Sequence, residues 1–208
     1  MINKAIIILS ILTLFSCDNI EKSDELYKRA INVYALSDLP NETKIDSSLA
    51  LTNLALKYNA DNVKALEHKT AMLFQIRDLQ GAIETTDKII TELPKEPYYI
   101  FQNAILLYVD GDSLQADKLK NEAMLLYQDK LQKDINNFDL RFNYITYLEG
   151  IGDTISANRQ LNILKDNHLE DYQREILENR PREINSIDRM REYFSGTLEL
   201  NELIENKN

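Results

Sequence analysis

The sequence predicts an all-α chain of helical hairpins, and three observations predict it. The 208 residues include only 5 glycines and 4 prolines. So few turn-formers cannot punctuate the many short strands of a sandwich or barrel. Apolar residues recur at helical spacing, as in Leu119, Ala123, Leu126 and Tyr127 at i, i+4, i+7 and i+8. A turn mark also recurs: Arg77-Asp78, Gly111-Asp112 and Gly152-Asp153 are each followed by an alanine four residues after the Asp. Those alanines, Ala82, Ala116 and Ala157, lie 34 and then 41 residues apart. With 44% hydrophobic residues the chain can bury a core, which argues against wholesale disorder.

Taken from its start, the chain opens with one cation, Lys4, and an apolar run from Ala5 to Phe15 interrupted only by Ser10 and Thr13. The run is shorter than the ~20 apolar residues that span a bilayer. It ends Leu14-Phe15-Ser16-Cys17, which resembles the lipobox of bacterial lipoproteins: an aliphatic residue, a small residue before the cut, then Cys. The resemblance implies that residues 1–16 are a signal peptide and that Cys17 becomes the lipidated first residue, carrying diacylglycerol and an N-acyl chain such as palmitate. Cys17 is the single cysteine, so no intramolecular disulfide can form. Residues 17–23 then read as the lipidated Cys and a short linker of at most ~3.5 Å per residue. The implied address is the bacterial cell envelope, with the outer membrane preferred to the inner and either face open. Asp18 resembles an inner-membrane retention signal in some Gram-negative groups. Glu21, Asp24 and Glu25 resemble a surface-export signal in others.

Residues 24–168 carry the repeats. The Arg77-to-Glu84 stretch with its ending Leu93-Pro94-Lys95-Glu96, and the later Gly-Asp turns, resemble the tetratricopeptide (TPR) repeat. Upstream, Asn59-Ala60-Asp61-Asn62 resembles the family's Asn-Pro-Asp-Asn ending, and Ser48 stands 34 residues before Ala82. Ser48, Ala82, Ala116 and Ala157 are therefore the expected repeat-packing positions, where a larger side chain would push paired helices apart. Gly before Asp suits a helix end entering the left-handed region, and Asp caps the next helix. Seven extra residues between Ala116 and Ala157 are two helical turns, which predicts a longer helix over about Ser113 to Lys133. The apolar faces fall at Leu66, Leu73 and Ile76; at Ile83, Ile89 and Ile90; at Ile100, Ala104, Leu107 and Tyr108; and at Tyr144, Ile145 and Leu148 with Leu161 and Leu164. The first repeat departs from the family through an insertion, Ser37 to Lys44. There is no Trp, and Leu66, Ile100 and Arg141 stand at the family's first aromatic position. The resemblance implies about four helix pairs in a right-handed superhelical solenoid.

Residues 169–208 break the pattern. Pro181 interrupts them, and Ile184, Ile187 and Phe194 suggest an apolar stripe, so they read as C-terminal capping helices and a frayed tail.

Charge and motifs narrow the function. The net charge is −10, or −11 without residues 1–16, and no basic run offers a footprint for nucleic acid. His68 and His168 are lone histidines without metal-ligand spacing and read as surface residues. No P-loop, dinucleotide fingerprint or nucleophile elbow occurs, so no catalytic residue, metal or cofactor is expected. The TPR resemblance instead implies a concave groove lined by the first helix of each pair. Carried onto this chain, its positions are Tyr98, Phe101, Ile105 and Tyr108, preceded by Lys64, Glu67, Ala71 and Phe74 and followed by Asp139, Phe142, Thr146 and Glu149. Such an aromatic middle suits a peptide or protein partner. The same aromatics equally fit packing between repeats, and both readings stand at this point. The expected function is a membrane-anchored scaffold that binds protein. An immunity or inhibitor lipoprotein against a toxin, and a glycan-binding outer-membrane lipoprotein, are the alternatives.

Overall fold

The computed structural model describes residues 2–166, 169–179 and 186–204, with the backbone alone for 2–17 and 204. The side chain of Cys17, together with His168, Pro181 and Ile184, lies outside the described residues. The described residues are helical throughout and form no strand: α1 (Ile2–Leu36), α2 (Asn41–Tyr58), α3 (Val63–Gln75), α4 (Leu79–Glu92), α5 (Pro97–Asp110), α6 (Ser113–Lys133), α7 (Phe138–Gly150), α8 (Thr154–Lys165), α9 (Asp171–Glu178), α10 (Ile187–Phe194) and α11 (Leu200–Ile204). The chain divides into two compact units, Met1–Ile76 and Arg77–Asn208.

Each predicted turn mark has a geometric counterpart. Gly111 and Gly152 adopt φ of +99° and +80°, and Arg77, at the matching position, adopts +61°. Glycine enters that region without steric cost, whereas an L residue there costs roughly 1–2 kcal/mol. Asp78, Asp112 and Asp153 each accept a hydrogen bond from the backbone N–H three residues on, at 2.9, 3.1 and 3.0 Å. These caps satisfy donors that α4, α6 and α8 would otherwise leave unpaired. The first helices obey the same register. α3, α5 and α7 begin at Val63, Pro97 and Phe138, 34 and 41 residues apart. Asn62 and Asn137 cap α3 and α7, while Pro97 opens α5 at a position where its missing N–H costs nothing. The predicted long helix is α6, with the bounds Ser113–Lys133.

In the first unit α1 and α2 form a hairpin against which α3 packs. Small residues make the close approach possible: Ala30, Ser48, Thr52, Ala55 and Ala65 are all buried. The stretch expected as a linker, Asp18 to Ser23, is instead helical, and Ser23 is buried. A long-range tie holds it there. Asn62 Nδ2 donates to Ser23 Oγ at 2.9 Å and to Asp24 Oδ1 at 3.0 Å, tying this end of α1 to the start of α3. Ile76, expected on the apolar face of α3, lies just past its last helical residue and is exposed.

His68 departs from its surface reading. It is 8% exposed. Its Nε2 lies 2.6 Å from Ser48 Oγ, and Ser48 Oγ donates to the Ala30 carbonyl at 2.9 Å. Because the serine has one proton and spends it on Ala30, the imidazole is the donor and carries its proton on Nε2. Tyr27 and Tyr34 meet the ring edge-on, at 6.3 and 6.1 Å. Burial pulls the imidazole below its ordinary value near 6.5. The unfolded chain therefore binds more protons just below that pH, and stability falls as pH drops from about 6.5 toward the lowered folded value. Between pH 7.5 and 5.5 the melting midpoint of the native chain should fall further than that of His68→Gln. Parallel slopes for the two would contradict a buried neutral imidazole.

In the second unit α4 packs on α5, α5 pairs with α6, α7 pairs with α8, and α10 returns onto α5. Ala82 and Ala116 are 0% and Ala157 is 1% exposed, as is Ser48 at 0% in the first unit. Filling such a site with a leucine forces neighbours off their rotamers. Ala82→Leu or Ala116→Leu should therefore cost ~1–3 kcal/mol in chemical denaturation. An unchanged midpoint would show that these methyls do not set the helix spacing. Of the stripe suggested for the C-terminal segment, Ile187 and Phe194 are only half-buried. Met190, Tyr193 and Leu203 are the buried residues there. The eight-residue helix α10 presents Met190 and Tyr193, three apart, to the unit.

Candidate functional site

α5 is the most apolar helix of the second unit, and its sequence explains why it is enclosed. Apolar residues run round the whole of Pro97–Asp110 rather than along one stripe, the pattern of a helix buried on every side. α4, α6, α7 and α10 all pack against it.

The four groove positions on α5 therefore divide. Phe101 is 0% and Ile105 is 3% exposed. The Phe101 ring lies 4.9 Å from Tyr147 and 6.4 Å from Tyr127. It is core packing between consecutive hairpins rather than an open groove wall. Tyr98 and Tyr108 are half-buried at the two ends of the helix. Tyr98 meets Tyr99 and Tyr147 edge-on at 5.0 and 5.7 Å. Tyr127 stacks on Tyr144 at 4.7 Å, which completes an aromatic layer shared by α5, α6 and α7. Burial pushes the Tyr127 and Tyr147 hydroxyls well above the ordinary phenol range, so both stay protonated at any working pH.

The other groove positions are placed separately. In the first unit Lys64, Glu67 and Ala71 are exposed and Phe74 is half-buried. On α7, Asp139 is exposed, while Phe142, Thr146 and Glu149 are half-buried. Phe142 stacks on Phe138 at 5.8 Å. Arg141, in register with the buried Leu66 and Ile100, is itself 3% exposed. It donates to the Ile135 carbonyl at 2.7 Å and to Gln160 Oε1, and burial lowers its pKa. The guanidinium at that position is held by a carbonyl of the α6–α7 connection and by Gln160.

At the C-terminal end of α5 lies a polar cluster that sequence reasoning missed. The Tyr108 hydroxyl donates to Asp117 Oδ1 at 2.5 Å, and Lys120 pairs with the same carboxylate. Arg191 of α10 donates to the Tyr108 carbonyl at 2.5 Å. That carbonyl is one of the last in the helix, where orphan acceptors and the negative end of the dipole favour a cation. From the other side Arg77 reaches the same C-terminal segment. Its guanidinium sits 4.9 Å over the Tyr193 ring, donates to the Leu198 carbonyl at 3.1 Å and pairs with Glu199 at 3.0 Å. Gly196, at φ +81°, lies so close that a Cβ there would sit 3.3 Å from the Arg77 guanidinium. The available signal was the break in the turn pattern, an arginine where two later repeats have glycine.

Among the described residues no group of three or more His, Cys, Asp or Glu side chains could hold a metal ion. Among the same residues no helix is long and apolar enough to cross a membrane. Compared with protein-family models, curated proteins and solved structures, the chain matches none.

Proposed function

We propose that the chain is a lipid-anchored, TPR-like array of helical hairpins that binds a protein or peptide partner in the bacterial cell envelope. The observation that carries this reading is the threefold turn. A left-handed residue, an Asp cap and a buried alanine recur at 34 and 41 residues, the first being the TPR period. Repeat hairpins of this kind build extended surfaces for partners. The acidic charge suits solubility in the envelope and gives no support to nucleic-acid binding.

The anchor reading rests on Leu14-Phe15-Ser16-Cys17. Two or three acyl chains, each buried CH₂ contributing ~0.8 kcal/mol, would hold the chain at a membrane. The helical Asp18–Ser23 stretch makes the tether short. At ~1.5 Å per residue, six residues of helix reach about 9 Å, less than half of an extended linker. The first unit would thus ride close to the lipid surface. Cys17→Ala should yield an unprocessed or soluble chain, read by mass and by detergent partitioning. Unchanged partitioning would rule the anchor out.

Partner binding is tested by cross-linking in intact membranes and recovery of the chain, with Phe74→Ala and Phe142→Ala as half-buried groove variants. A protein cross-linked to the native chain and lost from either variant supports the scaffold. Binding to oligosaccharide alone would overturn it.

A further inference from the structure

The C-terminal segment reaches α5 through one short helix, α10. Elsewhere α5 meets its neighbours through aromatic and aliphatic packing and through polar ties, Asn103 to Asp87, Gln80 to Asp110 and Tyr108 to Asp117. The segment from Ser186 to Ile204 buries only Met190, Tyr193 and Leu203 among its described side chains. Two arginines also attach it, Arg191 to the Tyr108 carbonyl and Arg77 to Tyr193, Leu198 and Glu199. The Glu199 side chain is largely exposed, so that pair is screened and weak. Helices as short as α10, with eight residues, and α11, with five, do not hold their shape without a surface to lie on.

Arg77 adds a second, independent observation. It occupies a left-handed turn position where the equivalent residues are glycines, and so carries backbone strain that Gly111 and Gly152 avoid. Its side chain explains the exception: every contact described for the guanidinium is with the C-terminal segment. Strain is thus retained at the one turn whose side chain serves as a latch.

We infer that the face of α5 beneath α10 is an exchangeable helix-docking site. The chain's own Ser186–Ile204 segment fills it in the isolated protein, and a partner peptide of the same chemistry takes its place. The inference rests on the protein-binding reading above and supplies the partner's chemical class. The peptide is a helix of about two turns with an apolar residue and an aromatic three apart. It carries an arginine for the last carbonyls of α5, and a carboxylate a few residues beyond for Arg77. The pattern is that of Met190, Arg191, Tyr193 and Glu199.

The test uses the full chain and a fluorescent peptide of sequence 186–204. Met190→Asp with Tyr193→Asp undocks the chain's own segment and leaves α5 and Arg77 intact. This variant should bind the peptide at least about tenfold more tightly than the native chain, because the native site is mostly occupied. Adding Arg77→Ala to the variant should abolish that gain. In the native chain, amides of α10 should exchange with deuterium about a hundredfold faster than those of α5, which marks opening below global unfolding. A folded variant that ignores the peptide overturns the inference. So does α10 exchange at the rate of α5, or loss of the cooperative melt in the variant, since each would make α10 an integral part of the core. A concentration-dependent dimer of the native chain, dissolved by the same two substitutions, would assign the site to a second copy and also overturn it. Peptide binding as expected with no membrane partner cross-linked would leave the docking site standing and remove the scaffold reading.

Discussion

Phe101→Ala is expected to lower the unfolding free energy by ~3–5 kcal/mol, the range for removing a ring from a packed core. The ring is fully buried, between Tyr127 on α6 and Tyr147 on α7. Both neighbours are themselves buried and held in place, Tyr127 by its stack on Tyr144 and Tyr147 by Tyr98, which opposes their collapse into the space. The lost volume would therefore persist as a cavity rather than heal. Tyr108→Phe, at the rim of the same helix, removes only the hydroxyl that meets Asp117 and should cost about 1 kcal/mol or less. Urea unfolding followed by circular dichroism separates the two. A Phe101→Ala loss below about 1 kcal/mol would return the ring to an accessible groove. The expected result also bears on any binding study, since a chain weakened to that degree loses partners by unfolding. Phe74 and Phe142, each half-buried, are the better probes.

The parts of this fold that could be read in the sequence are those that local chemistry determines. Gly111-Asp112 and Gly152-Asp153 each combine a residue free to turn left-handed with one that caps a helix, and two adjacent residues suffice to mark both events. Ala82, Ala116 and Ala157 follow at a constant offset, because the helix contact they serve sits one turn past the cap. The seven-residue extension of α6 was legible as two turns of helix. What could not be read depends on which faces are covered. Tyr98, Phe101, Ile105 and Tyr108 share one side of α5, yet only the middle two are buried, and nothing in their spacing tells a groove wall from a repeat interface. His68 looks like any solitary histidine until Ser48, twenty residues earlier, is brought against it. The return of α10 onto α5 depends on contacts more than eighty residues apart, such as Arg191 with Tyr108, for which the repeat pattern carries no signal.

Asn62→Ala should be among the most damaging polar substitutions in the first unit, at about 2–4 kcal/mol, because one side chain does two jobs there. Its Oδ1 accepts from the Ala65 N–H at 3.2 Å and caps α3, a contribution of ~0.5–2 kcal/mol. Its Nδ2 donates to the buried Ser23 and to Asp24 across 39 and 38 residues, and breaking buried hydrogen bonds of this sort costs ~1–3 kcal/mol more. Asn62→Asp separates the roles. The carboxylate keeps the cap, lacks both donors and stands against Asp24, so its loss should be intermediate and should shrink as acid neutralises one of the two carboxylates. If Asn62→Ala and Asn62→Asp unfold at the same denaturant concentration at neutral pH, the retained cap is offset by repulsion from Asp24, and the same comparison in acid, where that repulsion is gone, measures the cap. If both match the native chain, the Asp18–Ser23 stretch is not held by α3, and the short rigid tether between Cys17 and the first hairpin has no support.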